Sequence, residues 1–142
     1  MISDEVRGAL ELGSSPNLED RTIDITTTGR RSGQPRRIEI VFYRFDGDTY
    51  LSGIPAPRER DWLRNLREHP EFTFHLKHVV RADLPAVAEV ITDETERRRV
   101  LGHLVEEYNA RWDPASGWPE AVLDEWVSGS PLAKVSFEDP AH

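Results

Sequence analysis

The run Thr26-Thr27-Thr28-Gly29-Arg30-Arg31-Ser32-Gly33-Gln34-Pro35-Arg36-Arg37 concentrates more binding chemistry than any other part of the chain. Its glycines let the backbone turn sharply and present N–H groups. Four arginines and the Ser32 hydroxyl add donors whose geometry matches phosphate or carboxylate oxygens. The spacing is not that of a P-loop, because the lysine is absent and a strand, not a helix, follows; it is not a dinucleotide fingerprint either. The plain alternative is a hairpin with solvated arginines. Other chemistry is sparse. No serine sits in a nucleophile elbow. His75 and His78 stand three apart on a strand, so they point to opposite faces and make a poor metal pair; a surface or hydrogen-bonded role suits them better. His69 ends a helix, where it complements the dipole. His103 is expected on an outward helix face, and the Arg97-Arg98-Arg99 run, among Glu94, Glu96, Glu106 and Glu107, on a solvated face with ion pairs.

The arginine run needs two strands to hold it. Before it, Arg21 to Thr28 alternates Ile23 and Ile25 with polar residues, the period of a half-buried strand. After it, Arg37 to Phe45 places Ile38, Ile40 and Phe42 on one face. Asp46-Gly47-Asp48 signals a hairpin turn, and Thr49 to Gly53 is the returning strand. Ile54-Pro55-Ala56-Pro57 lacks backbone donors for regular structure. Trp62, Leu63 and Leu66 then mark a short helix ending before Pro70. Glu71 to Lys77 returns to period two, and Val79 to Ile91 reads as a strand pair or one long bent strand, with a bulge or edge at Pro85. Asp93-Glu94-Thr95-Glu96 resembles a capping box, before a helix carrying Val100, Leu101, Leu104, Val105 and Tyr108. A second helix is expected over Pro119 to Val127, with Trp126 and Trp118 as core or interface residues. Leu132 to Phe137 forms a last strand. At the amino terminus, Ser3 caps a helix to Leu12 with Ile2, Val6, Ala9 and Leu10 on one face. This order favours an α+β chain built mainly on an antiparallel sheet or small barrel. We divide it into an N-terminal helix and loop, residues 1–20, and a single domain over residues 21–142.

Composition narrows the function classes. The chain has 142 residues, 37% hydrophobic and 31% charged, enough for one buried core. There are no cysteines, hence no disulfides, thiol catalysis or thiolate metal sites. No apolar run is long enough to span a bilayer, no signal-like start is present, and the expected location is cytoplasmic. Residues 21–44 hold six arginines (Arg21, Arg30, Arg31, Arg36, Arg37 and Arg44) against Asp24 and Glu39, a net of +4 on a chain of net charge −8. The acidic remainder repels a long polyanion, which argues against nucleic acid. A basic island of this size suits a small, compact anion.

The arginine run, the Asp46-Gly47-Asp48 hairpin and Asp61-Trp62-Leu63-Arg64-Asn65-Leu66 before Pro70, in this order, resemble the deazaflavin-dependent nitroreductase family. The similarity is good over residues 23–77 and weaker through Tyr108 and the closing strand. The resemblance implies a split β-barrel of the FMN-binding type with flanking helices, and an oxidoreductase that uses reduced coenzyme F-420. It implies that Arg30, Arg31, Ser32, Gln34, Pro35 and Arg36 hold the coenzyme's phosphate and acidic tail. Ser52, Gly53, Ile54, Pro55 and Ala56 would border the deazaflavin ring, with Trp62 and Asn65 in the short helix beside it. Tyr108 and Trp112 would line the substrate side, and Tyr108 could give a proton to an acceptor that has taken hydride; packing in the core is the other role open to it. The implied acceptor is a small quinone, enone or nitroaromatic. The alternative is a non-catalytic split barrel that binds FMN, a tetrapyrrole or a fatty acid. Split barrels often form homodimers, while relatives of this branch also work as monomers. Two stretches depart from the family: the short, proline-stiffened Ile54 to Arg60 connection and the segment from Trp112 to Gly129.

Overall fold

Alternating apolar residues produce six antiparallel strands, and their order closes the sheet on itself. The computed structural model describes residues 3–138. The strands are β1 (Thr22–Thr28), β2 (Pro35–Phe45), β3 (Asp48–Ser52), β4 (Glu71–Leu76), β5 (Ala82–Val90) and β6 (Leu132–Phe137). They form a closed barrel in the order β1-β2-β3-β6-β5-β4. Closure leaves no unpaired edge, which is how a barrel satisfies its backbone groups. The β2–β3 turn has Asp46 at φ 53° and Gly47 at φ 80°, the two left-handed residues of a type I′ hairpin.

Among the described residues four α-helices flank the barrel: α1 (Asp4–Glu11), α2 (Asp61–Glu68), α3 (Glu94–Arg111) and α4 (Leu123–Gly129). The Ser3 hydroxyl accepts from the Val6 amide and caps α1. Val6, Ala9 and Leu10 then enter the barrel cluster with Ile23, Ile25, Phe42, Phe74 and the α2 residues Leu63 and Leu66. Ile2 lies outside the described residues. Phe42 and Phe74 meet edge to face, centroids 5.3 Å apart. A second cluster, including Tyr50, Val100, Leu101, Leu104, Trp126 and Leu132, joins α3 and α4 to the barrel. Between α1 and the barrel the chain passes so close to β2 that a Cβ on Gly13 would lie 2.8 Å from both the Arg44 amide nitrogen and the Phe42 ring. Only glycine allows that approach.

Several elements differ from their sequence reading. Of the two readings open for Val79 to Ile91, the single strand is the one formed, over Ala82–Val90. Pro85 stands opposite Thr73 on β4, and the β6 pairing ends beside it at Ala86–Phe137. Its missing N–H therefore falls where the second ladder stops. The capping box is half formed: Asp93 accepts from the Glu96 amide, but the Glu96 carboxylate turns to Arg99. The last helix starts at Leu123 rather than Pro119, and Trp118 is exposed. His103 is not on a free face, because its ring stacks on Phe45 at 4.4 Å. Among the described residues no helix is long and apolar enough to cross a membrane.

Candidate functional site

Strands β1 and β2 run together to their ends and present the arginine loop as a tight hairpin. The Gly29 amide donates to the Gln34 carbonyl at 2.8 Å, and the Gly33 amide to the Gly29 carbonyl at 2.8 Å. Gly33 takes φ 69°. A Cβ on Gly29 would lie 2.6 Å from the Ser32 hydroxyl and 3.2 Å from the Gln34 carbonyl, and the left-handed φ of Gly33 strains any L side chain, so both positions favour glycine. The Ser32 hydroxyl accepts from the Gln34 amide at 3.1 Å and from the Arg36 guanidinium at 3.3 Å.

Helix α2 fixes this loop from the side. Buried Asn65 accepts with Oδ1 from the Arg30 amide (3.1 Å) and the Arg30 guanidinium (3.3 Å), and donates with Nδ2 to buried Thr27 (3.2 Å). Its oxygen is thereby engaged twice with protein, and one of its two N–H donors is used. Expected beside the coenzyme ring, Asn65 lines the cavity next to the arginine loop and also anchors that loop, which sequence spacing could not show.

A cavity of about 360 Å³ lies between the loop and α2, walled by Arg30, Arg31, Ser32 and Arg36 on one side and by Ile38 and Trp62 on another. A neighbouring cavity of about 490 Å³ shares Ile38, Asp61 and Trp62 and runs on to Ser52 and Gly53. The two form one groove, cationic at one end and partly apolar along its length. The Ser52 hydroxyl is tied to the Pro131 carbonyl at 2.6 Å, leaving backbone and small side chains as the lining there. Gln34 is part of the loop's backbone frame, and Pro35 faces a separate cavity with Thr28 and Thr73. Ile54, Pro55 and Ala56 form the next connection, which packs on α4: the Ala56 amide donates to the Gly129 carbonyl at 3.4 Å. Tyr108 and Trp112 lie apart from the groove lining. The Tyr108 hydroxyl donates to the Pro119 carbonyl at 2.9 Å, its ring meeting Trp126 edge-on, and Trp112 Nε1 donates to the Trp118 carbonyl at 2.7 Å.

The basic island divides into structural and available charges. Arg21 is fully buried, 2.7 Å from Glu107 and 2.6 Å from the Ser15 carbonyl. Arg37 pairs with Asp24 at 3.0 Å and Arg44 with Glu11 at 2.9 Å. What remains is Arg30, Arg31 and Arg36. Asp61, 3.6 Å from Arg30, is the one carboxylate among the residues lining that end, and Arg31 has no polar side-chain partner among the described residues. Nearby, the Lys77 ammonium, followed by Arg37, holds the Asp24 carboxyl below the usual carboxylate value. His75 is buried with Nε2 2.7 Å from the Thr26 hydroxyl and Nδ1 2.7 Å from Asp83, whose pKa this hydrogen bond lowers. That is the hydrogen-bonded role expected for it, and no group of metal-ligating side chains occurs among the described residues. The arginine run at 97–99 is only partly a solvated face. Arg98 and Arg99 form ion pairs, but Arg97 donates to the carbonyls of Val127, Ile91 and Ser130 at 2.9, 3.0 and 2.6 Å.

A planar ring carrying an anionic tail is matched by this groove on the chemistry of its walls: guanidinium and hydroxyl donors at one end, then Trp62, Ile38 and glycine backbone. The fold recurs in solved structures at low identity. A conserved hypothetical protein from Mycobacterium tuberculosis is 19% identical over 98% of this chain and 83% of its own (TM-score 0.66). An F420-H2 dependent reductase, FDR-A, is 20% identical over 82% and 94% (TM-score 0.51). The heme storage protein HutZ from Vibrio cholerae is 13% identical over 96% and 92% (TM-score 0.58). These likenesses establish the split barrel. The family is established by sequence, since the model of the F420H(2)-dependent quinone reductases matches residues 7–117. The chain belongs to the F420H(2)-dependent quinone reductase family and is a coenzyme F-420-dependent reductase.

Proposed function

We propose that Arg30, Arg31, Arg36 and Ser32 hold the anionic tail of reduced coenzyme F-420, that the groove past Ile38 and Trp62 to Ser52 and Gly53 takes its ring, and that the acceptor is a quinone, with enones and nitroaromatics as further substrates. The observation that carries this reading is the set of three site arginines opening directly into a partly apolar groove. When bound, the reduced coenzyme supplies a hydride, which with one proton converts a quinone to its hydroquinone by two electrons. The protein's part is to orient ring and acceptor and to exclude water. Asn65 keeps the arginine loop in register, and Trp62 gives the ring an apolar wall.

Tyr108 joins the reaction only by exchanging its bond to the Pro119 carbonyl for one to the acceptor. A Tyr108→Phe variant with unchanged turnover assigns that residue to packing and leaves water as the proton source. The test of the whole reading is anaerobic oxidation of reduced coenzyme F-420 with a panel of quinones, enones and nitroaromatics, beside fluorescence titrations with F-420 and with FMN. Oxidation with quinones and tighter binding of F-420 support it. No turnover with any acceptor, together with tighter binding of FMN than of F-420, replaces it with the non-catalytic binding reading.

A further inference from the structure

We infer that a second basic cavity, behind the Ile54 to Arg60 connection, receives the anionic arm of the electron acceptor, with Arg58 and Arg60 as its recognition groups. This rests on the coenzyme reading above and adds a substrate class: acceptors that carry a carboxylate, sulfonate or phosphate beside the reducible group.

The cavity measures about 400 Å³, and its wall includes Arg58, Arg60, Arg67 and Arg97 against a single acid, Glu59. Glu59 is already paired with Arg67 at 2.9 Å. Arg97 donates to three backbone carbonyls and meets no carboxylate among the described residues, so none of these offsets its charge at the cavity wall. Arg58 and Arg60 are exposed, and their guanidinium groups have no hydrogen-bond or ion-pair partner among the described residues. Leu63, Ile91 and Pro131 supply apolar surface beside these charges. On a chain of net charge −8, a pocket of this kind concentrates small anions that the rest of the surface repels.

Position separates this cavity from the coenzyme's tail site. The cavity of the arginine loop and this one share no lining residue. The groove assigned to the ring lies between them, sharing Ile38, Asp61 and Trp62 with the first and Arg60 and Pro131 with the second. Two cationic ends therefore flank one partly apolar middle. With the tail anion at one end, the other end remains for a second anion, and the second molecule that must approach the ring is the acceptor. Arg60 and Pro131 line both spaces, and the proline-stiffened connection beside them is held against α4, where Pro55 Cβ sits 3.2 Å from the position of a Cβ on Gly129.

The test compares anthraquinone-2-sulfonate with 2-(hydroxymethyl)anthraquinone, which share the reducible ring and differ in charge. Two quantities are measured: kcat/KM for each with reduced coenzyme F-420, and binding of the sulfonate to the coenzyme-free protein by calorimetry. The sulfonate is expected to be preferred, and an Arg58→Ala/Arg60→Ala variant to lower both that preference and the sulfonate affinity by about tenfold, while Arg81→Ala, an exposed charge lost elsewhere, lowers neither. A sulfonate preference or affinity that is absent, survives the double variant, or falls equally in Arg81→Ala overturns the inference. If no acceptor oxidises the coenzyme, the coenzyme reading fails, and the calorimetric arm alone still decides whether Arg58 and Arg60 form an anion site.

Discussion

Replacing Asn65 separates the two roles that meet at the arginine loop. In Asn65→Ala the buried Thr27 hydroxyl loses its donor, and the Arg30 amide and guanidinium lose their acceptor, bonds now 3.2, 3.1 and 3.3 Å long. Stranding buried polar groups costs about 1–3 kcal/mol each, and water reaches the Arg30 side, so a net loss of about 2–3 kcal/mol is expected. At about 3 °C per kcal/mol for a chain of this size, the melting temperature should fall by roughly 6–9 °C. Coenzyme affinity should fall about tenfold, since Arg30 is no longer held toward the cavity. Asn65→Asp is predicted to behave differently. Its carboxylate still accepts from Arg30, and the Thr27 hydroxyl can turn to donate, so most of the stability returns. The added negative charge sits against Arg30 and opposes an anionic ligand, so coenzyme binding should be weaker than in Asn65→Ala. Thermal unfolding by circular dichroism and coenzyme fluorescence titration read the two effects separately. Wild-type stability and wild-type affinity in Asn65→Ala would refute the anchoring argument; full affinity in Asn65→Asp would place the anion away from Arg30.

Replacing Arg31 and Arg36 together by alanine should weaken coenzyme binding by about 3–6 kcal/mol at most, because charge-assisted bonds contribute about 1.5–3 kcal/mol each; unchanged titration curves would reject the assignment of the loop. Gly13→Ala should destabilise the fold by about 1–3 kcal/mol in chemical denaturation, since the new Cβ meets the β2 backbone at 2.8 Å. Asp24, whose carboxyl is held below its usual value chiefly by Lys77, contributes stability that is full above about pH 4 and is lost as pH falls through the lowered value. Asp24→Asn should therefore be less stable at pH 7 and lose less on acidification than the parent chain, which urea unfolding at pH 7 and pH 3 will check; parallel pH profiles would rule this out.

Local spacing was sufficient for the parts of this protein that are local. Period two marked β1, where burial alternates residue by residue, and the Asp46-Gly47-Asp48 turn signal marked the β2–β3 hairpin. The glycines at 29 and 33 marked a tight turn because crowding at the first and a left-handed φ at the second disfavour L side chains. The Trp62 to Asn65 stretch and the arginine loop were each visible as motifs. What the sequence could not determine was the allocation of charge. Six arginines look alike within residues 21–44, yet Arg21 is claimed by Glu107, Arg44 by Glu11 and Arg37 by Asp24, while Arg30, Arg31 and Arg36 line the cavity. Those choices follow from which segments the closed barrel and its helices bring together, and an ion pair 86 residues apart in the chain leaves no periodic trace. The same holds for Asn65 and Arg97, whose partners are loop backbone and the carbonyl ends of other elements. Strand and turn propensities are properties of neighbouring residues; a pocket is a property of their packing, so only the folded barrel decided where this chain's positive charge is free to act.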